Sequence, residues 1–279
     1  MNVCILRGPR AEQSVIDAAI ATLKARGIEG WEAQRDGPMS AITSQLKDTA
    51  LVVTLGGDGT FLAGGRIAAP KGIPVLGVNL GRLGFLTELE ANHVSEGLGR
   101  FLDGKYRIEE RTVLQVTLTR GSRKVAKAIG LNEVVLDHSG EARMLRIEID
   151  VGGQAVGVID ADGVMVSTAT GSTAYALASG GPILEPTLRD LVLVPMNPFA
   201  LTVRPIVFPP GQNINLSVVR GPGEMRIDGR SGRAVETGDT IRCGSHPRRL
   251  KVVRFSPPEE FYRRLGNKLG WGRPLVPNK

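Results

Sequence analysis

The five residues Gly56-Gly57-Asp58-Gly59-Thr60 combine three glycines with one carboxylate, directly after the apolar run ALVVTL (50–55). Glycines at a strand end let backbone N–H groups approach a ligand closely, and a helix that begins there adds the positive end of its dipole. The pattern predicts a phosphate-binding turn made by Gly56, Gly57, Gly59 and Thr60. Asp58 would repel phosphate unless it holds a metal or accepts a proton, so we interpret it as a general base or a Mg²⁺ partner. The alternative is a tight turn with a solvated aspartate.

A second polar cluster follows Asp162-Gly163 and the apolar run VMV. The next residues are rich in hydroxyl groups, carried by Ser167, Thr168, Thr170, Ser172, Thr173 and Tyr175. A strand, a turn and a helix in this order would bring hydroxyls and amides to one place, which suits ribose hydroxyls and a pyrophosphate. The alternative is a Ser/Thr-rich loop that caps a helix.

The pair Asn132-Glu133 interrupts the apolar, strand-like run AIGLNEVVLD (128–137). Two polar side chains buried there without partners would cost a few kcal/mol, so they either lie in a turn or face a ligand. Asparagine can both donate to and accept from an adenine edge, and glutamate can accept from a ribose hydroxyl or an amide. The two interpretations have equal weight.

The remaining polar candidates are weaker. Arg143 could meet a phosphate, and Asp228-Gly229 is more typical of a hairpin turn than of a site. The three histidines, His93, His138 and His246, lack the spacing of metal ligands.

The elements that must position these residues change in character along the chain. NVCIL (2–6), ALVVTL (50–55) and IPVLGVN (73–79) are short apolar runs, and residues 12–27 have helical spacing that ends at Gly27. Apolar strands that alternate with helices predict an α/β domain with a parallel, doubly wound sheet.

From about residue 105 the pattern becomes antiparallel β. In-out alternation with period two, broken by frequent glycine turns, is the signal for such strands. It occurs at 106–120, 145–151, 154–159, 214–219, 240–243 and 250–255. The closing stretch is polar and basic, which predicts a tail that docks on a neighbouring surface.

Composition excludes several classes of protein. The chain has 279 residues, 35 Lys+Arg against 28 Asp+Glu, and two distant cysteines, Cys4 and Cys243. This usage favours a reducing, cytoplasmic location without a disulfide framework, and no apolar run is long enough to span a membrane. Neither G-x-x-x-x-G-K-[ST] nor G-x-G-x-x-G occurs, so a Walker-type NTPase and an ordinary Rossmann oxidoreductase are not supported.

Taken together, the motifs resemble those of the NAD kinase family. The resemblance rests on their order: GGDGT, GVNLGRLGFLTEL (77–89), the Asn132-Glu133 pair, DGVMVSTATGSTAY (162–175), GGPI (180–183), RPIV (204–207) and KLGW (268–271). It implies a two-domain fold, with an α/β domain over 1–104 and a β-rich NAD-binding domain over 105–256. Residues 257–279 would then form a tail that returns to the first domain.

The resemblance also implies an activity and residue roles. The chain would phosphorylate the 2′-hydroxyl of the adenosine ribose of NAD, using ATP or another phosphoryl donor and a divalent metal, Mg²⁺ or Mn²⁺, with Asp58 as the general base. No protein side chain is implied as a fixed metal ligand, and a homo-oligomer, dimer or tetramer, is expected. The residues implied to bind NAD are Asp58, Gly59, Asn132, Glu133, Arg143, Asp162, Thr173, Ala174, Tyr175 and Ala178.

Four positions depart from the family pattern. Ala63 replaces a basic residue, Ala169 replaces a proline, Ala178-Ser179 inverts a Ser-Ala pair, and Asn197-Pro198-Phe199 replaces a Pro-His pair. Three other functions were weighed: a lipid kinase with a GGDG turn, a dinucleotide sensor without catalysis, and a basic nucleic-acid binder. The hydroxyl-rich cluster, Asp58, and the dispersed basic residues with few aromatics argue against these three in turn.

Overall fold

The computed structural model describes residues 2–81, 84–140, 144–230 and 232–270. The chain divides into two compact units. The first combines the described parts of Met1–Glu109 and Lys251–Lys279, and the second is formed by those of Glu110–Leu250. The chain therefore leaves the first unit, completes the second, and comes back.

The strands are β1 (Asn2–Arg7), β2 (Glu29–Gln34), β3 (Thr49–Leu55), β4 (Val75–Asn79), β5 (Leu89–Glu90), β6 (Arg107–Arg111), β7 (Leu114–Arg120), β8 (Arg123–Gly130), β9 (Glu133–His138), β10 (Leu145–Val151), β11 (Gln154–Thr168), β12 (Leu191–Pro198), β13 (Ile206–Phe208), β14 (Ile214–Arg220), β15 (Gly223–Ile227), β16 (Arg233–Val235), β17 (Asp239–Ser245) and β18 (Leu250–Arg254). The α-helices are α1 (Gln13–Lys24), α2 (Met39–Gln45), α3 (Asp58–Ala68), α4 (Val94–Leu102), α5 (Tyr175–Ala178) and α6 (Glu260–Leu269).

The first unit is built on a sheet of order β2-β1-β3-β4-β18-β6, with β5 paired to β4. The pairs β1–β2, β1–β3, β3–β4, β4–β5 and β18–β4 are parallel. One face of β1 and β3 packs against apolar residues of α1 and α4. On the other face α3 approaches so closely that a Cβ on Gly64 would lie 2.4 Å from Thr54. Helices on both faces explain the fully apolar strands, and they confirm the doubly wound α/β prediction.

The second unit is an antiparallel β structure. Its sheet has the order β16-β15-β9-β11-β10-β14-β17-β7-β8, with β12 paired to β11 and β13. Strands such as β7 and β14 bury every second side chain in one apolar core, which accounts for the period-two pattern. Strand β9 packs on both sides, because Val135 contributes to a second cluster that includes Ala176 of α5. The β-rich prediction for this part of the chain is confirmed.

One segment differs from the sequence-based expectation. LKVVRF was predicted as an antiparallel strand, but β18 pairs in parallel with β4 inside the first sheet. The pattern gives the strand and not its partner, since a period-two repeat does not encode which sheet a strand joins.

The polar closing stretch forms the helix α6, with Arg264 buried at 8% exposure. Its Trp271 lies outside the described residues.

Of the helices that the structure describes, none reaches the combination of length and apolar content needed to cross a bilayer.

Candidate functional site

The glycine-rich turn joins the end of β3 to the first residue of α3. The Gly56 N–H donates to the carbonyl of Val78 at 2.9 Å, which ties the turn to β4. The buried hydroxyl of Thr60 packs where two glycines leave room: a Cβ would lie 2.3 Å from it on Gly56 and 2.5 Å from it on Gly8. Thr60 therefore supports the turn from inside, and its N–H already donates to Gly57.

The carboxylate of Asp58 is held by two backbone amides from a distant loop. The Phe85 N–H donates to Oδ2 at 3.0 Å and the Leu86 N–H donates to Oδ1 at 3.1 Å. The preceding glycine is required by this contact, because a Cβ on Gly84 would lie 1.9 Å from Oδ1. Each carboxylate oxygen keeps acceptor capacity beyond its one amide, so the group is fixed in place and still able to accept a proton.

The outer side of the turn is open. Among the described residues, a Cβ on Gly57 would meet no atom within 4 Å, and one on Gly59 would meet only Arg35 Nη1, at 3.8 Å. The first N–H groups of a helix have no intrahelical acceptor, so those of Asp58 and Gly59 at the start of α3 are placed for an anion. A cavity of about 260 Å³ at the ends of β1 and β2 is lined by Arg7, Arg35 and Asp36, of which Arg35 and Asp36 form an ion pair at 2.9 Å. This region suits a chain of phosphates.

Across the described ranges, no three His, Cys, Asp or Glu residues come together as a metal site. One carboxylate beside open amides fits a Mg²⁺-type ion that arrives on phosphate oxygens, since Mg²⁺ is often bound by one or two carboxylates plus the substrate's phosphates.

In the second unit, Asn132 and Glu133 lie where the chain enters β9. The carboxylate of Asp228 accepts the N–H groups of Leu131 at 3.0 Å and of Asn132 at 2.8 Å, and the Asp228 N–H donates to the Glu133 carbonyl. Asp228 has a φ of 49° and lies in the connection between the antiparallel strands β15 and β16. It is thus the hairpin residue that its Asp-Gly sequence predicts, and it also fixes the backbone of the Asn132-Glu133 turn.

Two side-chain atoms of this turn are buried without a hydrogen-bond partner in the described structure, Asn132 Oδ1 and Glu133 Oε2. Burial, and secondarily the charge of Asp228, raises the pKa of the Glu133 carboxyl to about 7. Buried polar atoms normally form hydrogen bonds, so an unpaired one indicates a bound water, a ligand or another functional reason. The two atoms could serve as acceptors for a polar ligand.

The hydroxyl-rich segment supports this turn from behind. The Thr168 N–H and the Ser167 hydroxyl donate to the Asn132 carbonyl, and the Thr168 hydroxyl donates to that of Leu131. A Cβ on Gly171 would lie 2.4 Å from the Asn132 carbonyl oxygen. The hydroxyls of Ser167 and Thr168 therefore hold protein backbone, whereas the sequence predicted that they face ribose or pyrophosphate.

The other predicted residues are more dispersed. Asp162 accepts from Asn197 Nδ2 at 2.9 Å and lies five residues before Ser167, the β-ladder partner of Glu133. At the rise of a strand this places it roughly 16 Å away along β11. Thr173 and Ala174 are half-buried, and Tyr175 and Ala178 are exposed, all in or beside α5. Arg143 lies outside the described residues.

The residues that fix Asp58 are not among those predicted from the sequence, where Gly84, Phe85 and Leu86 appear only as part of the run GVNLGRLGFLTEL. The glycine was the available signal, since a glycine at a close approach leaves no room for a Cβ. Its partner, 26 residues earlier in the chain, cannot be found from local pattern.

A mostly parallel α/β unit with a fixed carboxylate at a phosphate-type turn, and an antiparallel unit with unpaired acceptors, define a nucleotide-binding phosphotransferase. Family models identify it further. Residues 16–106 match the ATP-NAD kinase N-terminal domain, and residues 131–255 match the ATP-NAD kinase C-terminal domain. The chain belongs to the NAD kinase family and is an enzyme of that family, as the sequence resemblance predicted.

Individual relatives agree with this assignment. The chain is 39% identical over 266 residues to the NAD kinase of Heliobacterium modesticaldum, covering 89% of this chain and 94% of the relative. It is 42% identical over 242 residues to NAD kinase 2 of Trichormus variabilis, covering 86% of this chain and 79% of the relative.

Two solved structures share the fold. Yeast NADH kinase, complexed with NADH, superimposes with a TM-score of 0.88 at 23% identity, covering 100% of this chain and 90% of the yeast chain. An NAD kinase from Archaeoglobus fulgidus, in complex with ATP, gives a TM-score of 0.76 at 24% identity, covering 98% of this chain and 100% of the archaeal chain.

Proposed function

We propose that this chain transfers the γ-phosphoryl group of ATP to the 2′-hydroxyl of the adenosine ribose of NAD, giving NADP, with Asp58 as the general base. The observation that carries the proposal is the Asp58 carboxylate, fixed by two amides at the N-terminus of α3. The activity for which the family is named, ATP-NAD kinase, supports the choice of the two substrates.

Asp58 addresses the difficulty of the reaction. A ribose hydroxyl is a poor nucleophile at neutral pH, and a positioned carboxylate can orient it and accept its proton as the O–P bond forms. The amides of Phe85 and Leu86 hold the carboxylate in one orientation, so little of the reaction barrier goes into arranging it.

The donor's phosphates are assigned to the open turn, with Gly56, Gly57, Gly59 and Thr60 shaping it and the first amides of α3 donating. A divalent metal, Mg²⁺ or Mn²⁺, supplies neutralisation of the phosphate charge when it is bound. It would arrive on the donor, with Asp58 as the carboxylate near it, and no side chain is assigned as its fixed ligand.

The NAD contacts proposed in the second unit include the polar residues Asn132, Glu133 and Asp162, and those proposed in the first unit are Asp58 and Gly59. The unpaired acceptors Asn132 Oδ1 and Glu133 Oε2 suit the adenine amino group and a ribose hydroxyl. If Asp162 and Glu133 bind one NAD molecule, they hold different ends of it, because β11 separates them. The remaining NAD contacts proposed are Arg143, Thr173, Ala174, Tyr175 and Ala178.

Three further expectations remain proposals: a cytoplasmic location, assembly into a homo-oligomer, either dimer or tetramer, and the domain bounds 1–104, 105–256 and 257–279.

The test combines purified protein, NAD, ATP and Mg²⁺, with NADP measured by a coupled dehydrogenase. The parental protein should produce NADP. Asp58→Asn should lower kcat by about 10³-fold, within the range for losing a general base, while NAD affinity measured by calorimetry changes little. The matched control is Asp17→Asn, which changes an exposed aspartate of α1 and should keep the parental rate.

Each competing function gives a different result. A dinucleotide sensor would bind NAD and form no NADP, and a lipid kinase would phosphorylate only lipid acceptors. An Asp58→Asn variant with the parental kcat would refute the assignment of the base and leave the activity itself standing.

A further inference from the structure

The loop that fixes Asp58 is itself held by two arginines from the closing segment of the chain, here residues 251–270: Arg254 of β18 and Arg264 of α6. Arg254 Nη1 donates to the carbonyl of Leu86 at 2.9 Å, and Arg264 Nη1 donates to the carbonyl of Thr87 at 2.6 Å. The amide of the same Leu86 donates to Asp58 Oδ1 at 3.1 Å. Backbone groups of adjacent residues thus face Asp58 on one side and the arginines on the other.

The arginines are themselves fixed by a buried carboxylate in the same loop. Glu88, whose side chain is 2% exposed, lies 3.1 Å from Arg254 Nη1 and 3.5 Å from Arg264 Nη2. It also accepts the N–H groups of Phe255 and Ser256 at 2.7 Å each. Separating a buried ion pair costs several kcal/mol, because it leaves an uncompensated charge. These side chains therefore hold one another in fixed positions.

Helix α6 contacts the loop at a second point. The Lys268 ammonium lies 5.6 Å from the centre of the Phe85 ring, and Phe85 supplies the other amide to Asp58. Helix α6 therefore contacts Phe85 and Thr87, the residues on either side of Leu86. The two amides that bind the Asp58 carboxylate belong to Phe85 and Leu86, within this short stretch.

We infer that Arg264, together with Arg254, is a positioning residue for Asp58: it sets the place of the two amides that orient the carboxylate. This inference rests on the proposed role of Asp58 as the base. It assigns a part in catalysis to a helix of the closing segment, which touches neither substrate in the proposed function. A merely structural arginine would stabilise the fold without any specific relation to Asp58.

The experiment is a double-mutant comparison in the full-length enzyme. Arg264→Met, which keeps the apolar stem, and Arg264→Lys are each made in the parental and the Asp58→Asn backgrounds, and kcat and the KM for NAD are measured. In the parental background, Arg264→Met should lower kcat by about tenfold or more with the KM for NAD within about twofold, since a small displacement of a reacting group is costly. Arg264→Lys, which keeps one donor, should recover part of the loss.

In the Asp58→Asn background, Arg264→Met should change the residual kcat by less than about twofold, because the base it orients is already absent. The matched control is Arg263→Met: Arg263 is 69% exposed, pairs with Glu260, and should show the parental kcat. Thermal melts confirm that each variant is folded, and if Arg264→Met does not fold, Arg264→Lys carries the same comparison.

Equal losses of kcat in both backgrounds would overturn the inference, and so would a folded Arg264→Met variant with the parental kcat. These outcomes are distinct from a failure of the proposed function, in which the parental protein forms no NADP, or Asp58→Asn keeps its rate.

Discussion

The turn that carries Asp58 and the turn that carries Asn132 and Glu133 differ in whether their side-chain oxygens have hydrogen-bond partners within the protein. In the first unit, both oxygens of Asp58 accept amides of the same unit. In the second unit, Asn132 Oδ1 and Glu133 Oε2 are buried with no partner in the described structure, although Asp228 fixes the backbone that carries them.

This difference matches two kinds of task in the proposed function. A general base must already have the correct orientation when substrates arrive, so its partners belong to the protein. A binding group gains affinity when the ligand supplies the missing hydrogen bond, and the free protein bears the cost of leaving it unmade. The turn whose carboxylate is paired within the protein is expected to govern kcat, and the turn that carries the two unpaired acceptors is expected to govern stability and NAD affinity.

Of the three predictions that test this difference between the turns, the largest effect is expected for Glu133→Gln, on the free energy of unfolding. Its pKa is raised from 4.5 to about 7, so the folded state favours the protonated form more than the unfolded state does. The cost of ionising it in the fold is fully present above pH 7 and disappears as the pH falls to 4.5. Glu133→Gln should raise the free energy of unfolding by about 3 kcal/mol at pH 8, and by much less at pH 5. Urea denaturation at both pH values measures this.

Glu148→Gln is the matched control, since Glu148 is exposed on β10 and the same substitution there should change the free energy of unfolding only slightly. If Glu133→Gln shows no more pH dependence than this control, Glu133 is already satisfied in the free protein and the contrast between the turns fails.

The second prediction tests the paired turn. Gly84→Ala would place a Cβ 1.9 Å from Asp58 Oδ1 and so must displace the carboxylate. A displacement on the order of 1 Å should lower kcat about 100-fold, with little change in NAD affinity. Gly81→Ala, where a Cβ meets no atom of the described residues within 4 Å, is the control and should keep the parental kcat. An unchanged kcat in Gly84→Ala would mean that the position of Asp58 does not matter.

The smallest effect is expected at Gly59, on the open side of the same turn. Within the described structure a Cβ there would meet only Arg35 Nη1, at 3.8 Å. Gly59→Ala should therefore fold normally, with the free energy of unfolding unchanged or higher by up to about 1 kcal/mol. It should nevertheless raise the KM for ATP about tenfold, corresponding to roughly 1.4 kcal/mol, because it obstructs the phosphate position. A normal KM for ATP would move the donor's phosphates elsewhere.

Much of the fold follows from the sequence because its signals are local. The apolar run ahead of Gly56 and the alternation in β7 and β14 are both visible in stretches of fewer than ten residues. The place of β18 is different, since its pairing with β4 joins residues far apart in the chain.

The site divides in the same way. Asp58 and the Asn132-Glu133 pair stand out because their polarity conflicts with their apolar surroundings. The amides of Phe85 and Leu86 leave no such signal, because every residue except proline has an N–H group. The hydroxyls of Ser167 and Thr168 show the converse: a visible cluster of polar residues whose partners turn out to be backbone carbonyls.

The position of β18 between β4 and β6 has a consequence for how the protein is made. A growing chain emerges from the ribosome from its amino end, so β4 waits for this inner neighbour until the whole of residues 110–250 has been synthesised. The second unit has all its residues available before the first does, reversing the usual order in which the amino-terminal part folds first. During that interval the part of the β4 edge around Val75, which later pairs with Val252 of β18, is open to association with other nascent chains.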